Sequence, residues 1–303
     1  MATSATSTTT SDAALSAPSL WADLAQLAKL RLNFLVVLTT AAGFMLADAS
    51  PLRWVLLVHT VLGTVVLAAG AAALNQAVEY ERDALMRRTA NRPIPSGRVD
   101  PFHGVLFGAG LSVAGIVYLG FWVNLLTAFL GAVTMAIYVF VYTPLKRRSS
   151  LATIVGAIPG AIPPMMGVTA ASGEIGLLGW ALFGVLFLWQ MPHFLAIAWL
   201  YRSDYQRGGF PMLTVGDPMG SRTARQMILY AAALLPVSLM PSALGIGGVA
   251  YLVGALLLGL GFLGCAVAFA RRPDAPSARR LLLVSVFYLP VLLFMMVAGR
   301  NLA

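Results

Sequence analysis

Four short segments of the chain carry side chains able to act on an anionic substrate. The densest is residues 75–83, NQAVEYERD. At 100° per residue, Asn75, Glu79 and Asp83 fall within about 80° of arc, on one face of a helix. Glu81 points away from that face. An amide and two carboxylates so aligned are donors for a hard cation such as Mg²⁺, which takes oxygen ligands and often keeps waters and phosphate oxygens as well. The same acids could equally form a solvated helix end paired with Arg82, Arg87 and Arg88.

Three further segments add cations and one more acid. Residues 86–98, MRRTANRPIPSGR, hold Arg87, Arg88, Arg92 and Arg98, and Pro93 and Pro95 are expected to stop helix formation and fix an extended turn. Arginine reads phosphate through a bidentate fork. A loop that merely anchors topology would also be rich in Arg, without regard to the neighbouring acids. Residues 142–148, YTPLKRR, bring Tyr142, Lys146 and Arg147. Residues 201–212, YRSDYQRGGFPM, set Asp204 and Tyr205 between Arg202 and Arg207. Just before them, residues 189–194 read WQMPHF, with Gln190 and His193 beside a proline. Pro192 removes a backbone hydrogen bond, so this helix is expected to loosen and His193 to face a cavity or a partner. His59 and His103 have no such company.

What positions these segments follows from composition. Hydrophobic residues make up 59% of the 303 and charged residues only 10%, against about 25% in an ordinary soluble domain. So few charges cannot coat a soluble globule, and so high an apolar fraction excludes disorder. The 29 glycines follow no three-residue repeat, which excludes collagen. Nine apolar runs approach the roughly 20 residues that cross a bilayer: 32–47, 54–78, 103–121, 123–142, 151–171, 177–200, 227–240, 247–270 and 281–298. Their patterning is helical rather than alternating, against a β-barrel. The expected fold is therefore all-α, a polytopic membrane protein with nine transmembrane helices around a central cavity. Within the fifth run, residues 156–164 (GAIPGAIPP) are expected to break the helix and let a substrate approach the backbone. Close helix packing would use the same residues.

With the N-terminus inside, all of the 20 Lys and Arg except Arg53 and Arg300 fall on the cytoplasmic side. The net charge of +9 is thus an orientation signal, and no nucleic-acid partner is expected. Residues 1–24 lack the basic start of a signal peptide and the Arg of a transit peptide. They read as a disordered cytoplasmic tail, which favours a bacterial inner membrane over an organelle. Residues 25–303 read as a single domain. The two longer cytoplasmic loops follow the second and sixth spans, which suggests a four-helix unit used twice with a ninth helix added. The single cysteine, Cys265, lies in an apolar run and reads as packing.

These motifs together resemble the UbiA-type intramembrane prenyltransferases and, within them, the protohaem IX farnesyltransferase branch. The Asn75/Glu79/Glu81/Asp83 cluster carries the superfamily likeness. Residues 142–147 add to that likeness, and RTANRP within 86–98 and WQMPHF at 189–194, with DYQRGGFPML at 204–213, carry the branch. The resemblance implies that farnesyl diphosphate ionises with Mg²⁺ help, that a vinyl group of haem b captures the allylic cation, and that diphosphate is released. It implies that Asn75, Glu79 and Asp83 organise Mg²⁺ and diphosphate, with Asp204 assisting from the opposite loop. Arg87, Arg88, Arg92 and Lys146 would neutralise the developing charge. His193, Gln190, Tyr142, Arg147, Arg202 and Tyr205 are the expected substrate-binding residues. Haem b enters as substrate rather than cofactor. The bilayer is the expected medium, and haem A synthase or oxidase assembly proteins are candidate partners. One departure concerns the second acidic motif, which in the superfamily usually has two Asp three residues apart; here position 208 is Gly.

A prenyltransferase for a quinone precursor or chlorophyllide would share the acidic cluster but not residues 189–194 or the single-Asp loop. A secondary transporter places its ionisable residues near the midplane at broken helices, whereas these acids lie at helix ends. An assembly factor without chemistry gives no reason for the alignment of Asn75, Glu79 and Asp83.

Overall fold

A computed structural model describes residues 19–48 and 51–300 of the chain. Residues 1–18 of the expected tail lie outside the described residues, and Leu20–Leu27, where that tail was expected to end, forms a short helix, α1. All described regular structure is helical. The long elements are α2 (Leu30–Ala47), α3 (Trp54–Leu85), α4 (Pro101–Trp122), α5 (Leu125–Ala136), α7 (Ala152–Ser172), α8 (Gly176–Leu200), α10 (Ser221–Ala243), α11 (Gly248–Arg271) and α12 (Ala275–Gly299). Two short helices, α6 (Thr143–Leu145) and α9 (Arg202–Arg207), sit in the polar loops. Among the described residues, eight helices are long and apolar enough to cross a membrane, and a shorter apolar stretch, Asn33–Ala47 within α2, occupies the place of the first of the nine runs.

Local chemistry sets the helix starts. Asp100 accepts from Phe102 N at 2.8 Å with Pro101 in the first turn of α4, and Asn124 and Asp274 cap α5 and α12 through Thr127 N and Ser277 N. Gly173, at φ 80°, ends α7 in the left-handed conformation.

One expected break does not occur. Helix α7 runs unbroken through Pro159, Pro163 and Pro164; α8, expected only to loosen at Pro192, also continues through it. Without water to satisfy freed backbone groups, an opened helix costs more than the few bonds each proline removes. The small residues of α7 serve close packing instead. A Cβ on Gly167 would collide with Thr40 O, and one on Gly43 with Pro164 O, so α2 and α7 meet backbone to backbone. Helix α7 is the most enclosed long helix, with 72% of its apolar window buried inside the protein. It packs mainly on α2, α5 and α8; α10 and α11 extend the bundle from α8, and α12 closes it against both α2 and α8.

Chain alternation brings the basic loops to one end of the bundle. At the opposite end, the two remaining arginines converge on Asp48. Arg53 Nε donates to Asp48 Oδ1 at 2.7 Å and Arg300 Nη1 to Asp48 O at 3.1 Å.

Candidate active site

Helix α3 continues well past the apolar run and carries Asn75, Glu79 and Asp83 along one buried face. Glu79 is 2% exposed and Asp83 1%. Glu81 lies exposed, bonded among the described residues only to its neighbour Tyr80, as the helical spacing requires. Buried carboxylates need compensation, and each has a cation from another segment. Lys146 Nζ stands 2.9 Å from Glu79 Oε2, and Arg92 Nη1 stands 2.6 Å from Asp83 Oδ2. Asp204 pairs with Arg207 and accepts from Arg87 N at 3.3 Å. Glu79 Oε1 is buried without a partner among the described residues.

The loop after α3 differs from the expected extended turn. Residues 86–99 coil through successive turns, with Thr89 N on Met86 O, Ser96 N on Arg92 O and Arg98 N on Pro93 O. Thr89 Oγ1 donates to Asp83 O at 2.8 Å, and Arg98 reaches back to Asp23 at 3.0 Å. This coiling is what returns Arg92 to Asp83. The second loop docks on the end of α3, with Arg82 Nη1 donating to Gly209 O at 2.6 Å. Gly208 packs on Met86 and Phe210, so the position of the missing second Asp is filled by the core of this loop.

Between α5 and α6 the backbone widens into a π-helical segment, Ile137–Tyr142. Such segments are rare and gather at functional sites. Here it stacks Tyr138 on Tyr142 with centroids 5.3 Å apart and leads directly to Lys146. Thr143 Oγ1 donates to Tyr138 O at 2.8 Å and accepts from Asn75 Nδ2 at 3.4 Å, tying Asn75 to this segment.

A cavity of about 340 Å³ opens beside these groups, lined among others by Arg88, Tyr142, Lys146, His193, Phe194 and Tyr205. Arg88 lies over the rings of Tyr201 and Tyr205, at 4.9 and 5.8 Å, and Lys146 over Phe210 at 4.5 Å. A second cavity of about 230 Å³ shares Tyr138 and Gly156 with the first and continues along Lys29, Asn33, Ala68, Ala72 and Pro163.

The candidate residues therefore divide. Asn75, Glu79, Asp83, Arg92, Lys146 and Asp204 gather at the loop end, and Arg88, Tyr142, Tyr205 and His193 line the adjoining cavity. Three stand apart. Gln190 joins α8 to α7 through Ala157 O at 2.7 Å, Arg147 donates to Val78 O, and Arg202 is exposed over Trp199 at 4.8 Å. Arg87 meets the site by its backbone N–H, its side chain being exposed. Sequence reasoning missed Lys29, counted there only as an orientation charge. It caps α2 at φ 47°, the one non-glycine residue with positive φ among the described residues. Burial, with Arg92 and Lys146 nearby, lowers its ammonium to about 7. No spacing in the sequence signals this placement.

Among the described residues, no three His, Cys, Asp or Glu side chains converge as a preformed metal cage. The donor set nonetheless suits Mg²⁺, which is commonly held by one or two carboxylates plus substrate phosphates and waters. The unpartnered Glu79 Oε1 is one such buried oxygen.

Comparison with known proteins accounts for the arrangement. The model of the UbiA prenyltransferase family matches residues 36–295. A protoheme IX farnesyltransferase of Solibacter usitatus (strain Ellin6076) is 47% identical over 92% of this chain and 98% of its own. One from Salinibacter ruber (strain DSM 13855 / M31) is 45% identical over 89% and 95%. Among solved structures, a digeranylgeranylglyceryl phosphate synthase superposes with a TM-score of 0.77 at 13% identity, covering 93% of this chain and 98% of its own. A UbiA homologue from Archaeoglobus fulgidus bound to GPP and Mg²⁺ gives 0.64 at 12% identity, covering 91% and 99%. With the match spanning nearly every described helix, and the acids and bases meeting at one end of that fold, the chain belongs to the UbiA prenyltransferase family.

Proposed function

We propose that this protein transfers the farnesyl group of farnesyl diphosphate to a vinyl group of haem b, releasing diphosphate and giving haem O. The observation that carries the reading is the pair of buried ion pairs, Glu79–Lys146 and Asp83–Arg92, beside a cavity whose wall holds His193. The relatives named for protohaem farnesylation support haem as acceptor, and the Mg²⁺ and prenyl diphosphate of the Archaeoglobus homologue support the donor class.

Asn75, Glu79 and Asp83 would hold Mg²⁺, with Asp204 from the second loop. When bound, Mg²⁺ supplies Lewis-acid stabilisation of the departing diphosphate oxygens. Lys146 and Arg88 line the cavity and bind the leaving group as its negative charge grows. Lys146 and Arg92 can turn from carboxylate to phosphate oxygen once another cation takes their place, so that no buried charge is left uncompensated. The allylic C–O bond breaks with its electron pair on diphosphate, the vinyl π pair forms the new C–C bond, and the cation left on the other vinyl carbon then adds one water, whose proton leaves to solvent or diphosphate, giving the hydroxyl of haem O. Phe194, Ile197 and Met212 on the cavity wall keep bulk water from the allylic cation meanwhile. The second cavity, with its small apolar wall from Ala68 to Pro163, suits the isoprenoid chain.

The basic end, and with it the active site, faces the cytoplasm of a bacterial inner membrane on this reading, which the bias of 18 Lys and Arg over two supports. Haem A synthase or oxidase assembly proteins then receive the product. The test is direct. Purified protein in detergent, given haem b, farnesyl diphosphate and Mg²⁺, yields a more hydrophobic haem on reverse-phase chromatography. Failure to form it beside an active control enzyme refutes the assignment.

A further inference from the structure

His193 does not stand alone on the cavity wall. Its Nδ1 lies 2.7 Å from Ser285 Oγ on α12. Its ring stacks on Trp189 at 5.0 Å, and Trp189 Nε1 donates to the carbonyl of the same serine at 2.8 Å. Ser285 is fully buried, and its Oγ also lies 2.6 Å from Leu282 O.

This hydroxyl decides the tautomer. Serine has one hydrogen, and a carbonyl oxygen can only accept it. If Oγ donates to Leu282 O, His193 Nδ1 must carry the proton and donate to Oγ. In the other tautomer Nδ1 would need the serine hydrogen, leaving two oxygens 2.6 Å apart with no proton between them. Both contacts are hydrogen bonds only with the proton on Nδ1. The lone pair then resides on Nε2, the ring's hydrogen bond among the described residues being the one through Nδ1, on a side chain that lines the cavity. The ring is only partly buried, so this lone pair is open to a ligand that enters the cavity.

We propose that His193 Nε2 is an axial ligand of the substrate's iron, and that Ser285 is the positioning residue that fixes the ring and its tautomer. This rests on haem being the acceptor. Metal-bound histidines characteristically donate their other ring N–H to an oxygen, which sets orientation and basicity, and loss of that partner costs about 10–100-fold in affinity.

The experiment titrates purified protein with haem and, separately, with iron-free protoporphyrin IX, and records resonance Raman spectra of the ferrous haem complex. An iron–histidine stretch is expected in the unaltered protein, absent in His193→Gly and restored there by imidazole. Ser285→Ala should bind haem about 10–100-fold more weakly with a shifted stretch. Ser285→Thr should keep both, and the iron-free porphyrin should bind every variant equally. A stretch that survives in His193→Gly without imidazole overturns the proposal. So does a loss of affinity as large for the iron-free porphyrin as for haem, which would mark a packing role. Farnesylated haem is assayed on the same samples. Product without any histidine signature refutes the ligand and leaves the reaction standing; the signature without product refutes the reaction and leaves the ligand.

Discussion

Replacing Lys146 by Met separates its two roles. Among the described residues Lys146 is the only hydrogen-bond partner of Glu79, whose second oxygen is buried and unpaired. At 2.9 Å the gross attraction is about 6 kcal/mol for an effective dielectric constant of 20. Desolvation of the two ions offsets part of this, but removing one partner leaves the other charge buried, which costs about 3–5 kcal/mol. Lys146→Met should therefore melt lower by roughly 6–20 °C, taking about 2–4 °C per kcal/mol. Adding Glu79→Gln removes the stranded charge and should recover most of the loss. Mg²⁺ should raise the melting temperature of Lys146→Met more than that of the unaltered protein, because it offers Glu79 another cation. Unfolding in detergent can be followed with a thiol-reactive dye, since Cys265 is the only cysteine. Neither variant regains catalysis, because the cation facing the departing diphosphate is missing, at a cost of roughly 10²–10³ in rate. A Lys146→Met protein that melts like the unaltered one, or a double variant no more stable than the single, refutes the ion-pair argument. Undiminished turnover refutes the catalytic one.

Other substitutions test the remaining parts of the site. Asp83→Ala should abolish farnesyl transfer at every Mg²⁺ concentration; near-normal activity removes Asp83 from the metal role. Gly160→Ala puts a Cβ against Gln190 Oε1 and strains the Gln190–Ala157 bond, with an expected loss of about 1–3 kcal/mol in a melting assay and no change if the helices there are loosely packed. Arg202→Ala should leave kcat/KM within about a factor of two, since the exposed guanidinium rests on Trp199 away from the cavity; a tenfold fall would bring Arg202 into substrate binding.

The motifs that were legible in the sequence are those fixed by local geometry. Helical periodicity alone aligns Asn75, Glu79 and Asp83 and turns Glu81 away. Hydropathy alone finds the nine apolar runs, and charge asymmetry predicts that Arg53 and Arg300 part from the other cations. Each of these depends on neighbours within a turn or two, or on the solvent that a segment can tolerate. The prolines misled for the opposite reason. Pro159, Pro163 and Pro164 break helices where water can satisfy the freed carbonyls, and α7 runs inside the bundle.

Which cation neutralises which acid was not legible. The Glu79–Lys146 pair spans 67 residues, and the His193–Ser285 bond 92. Nothing in either local pattern distinguishes Lys146 from Arg147, yet one faces the cavity and the other ties down a backbone carbonyl. Lys29 looked like any anchoring charge until the fold set it on the second cavity, near Arg92 and Lys146. The sequence determined which residue types reach the basic end of the bundle and on which helical face they lie. The tertiary structure decided the partners, because a buried charge or lone pair takes its meaning from what the packing of distant helices sets against it.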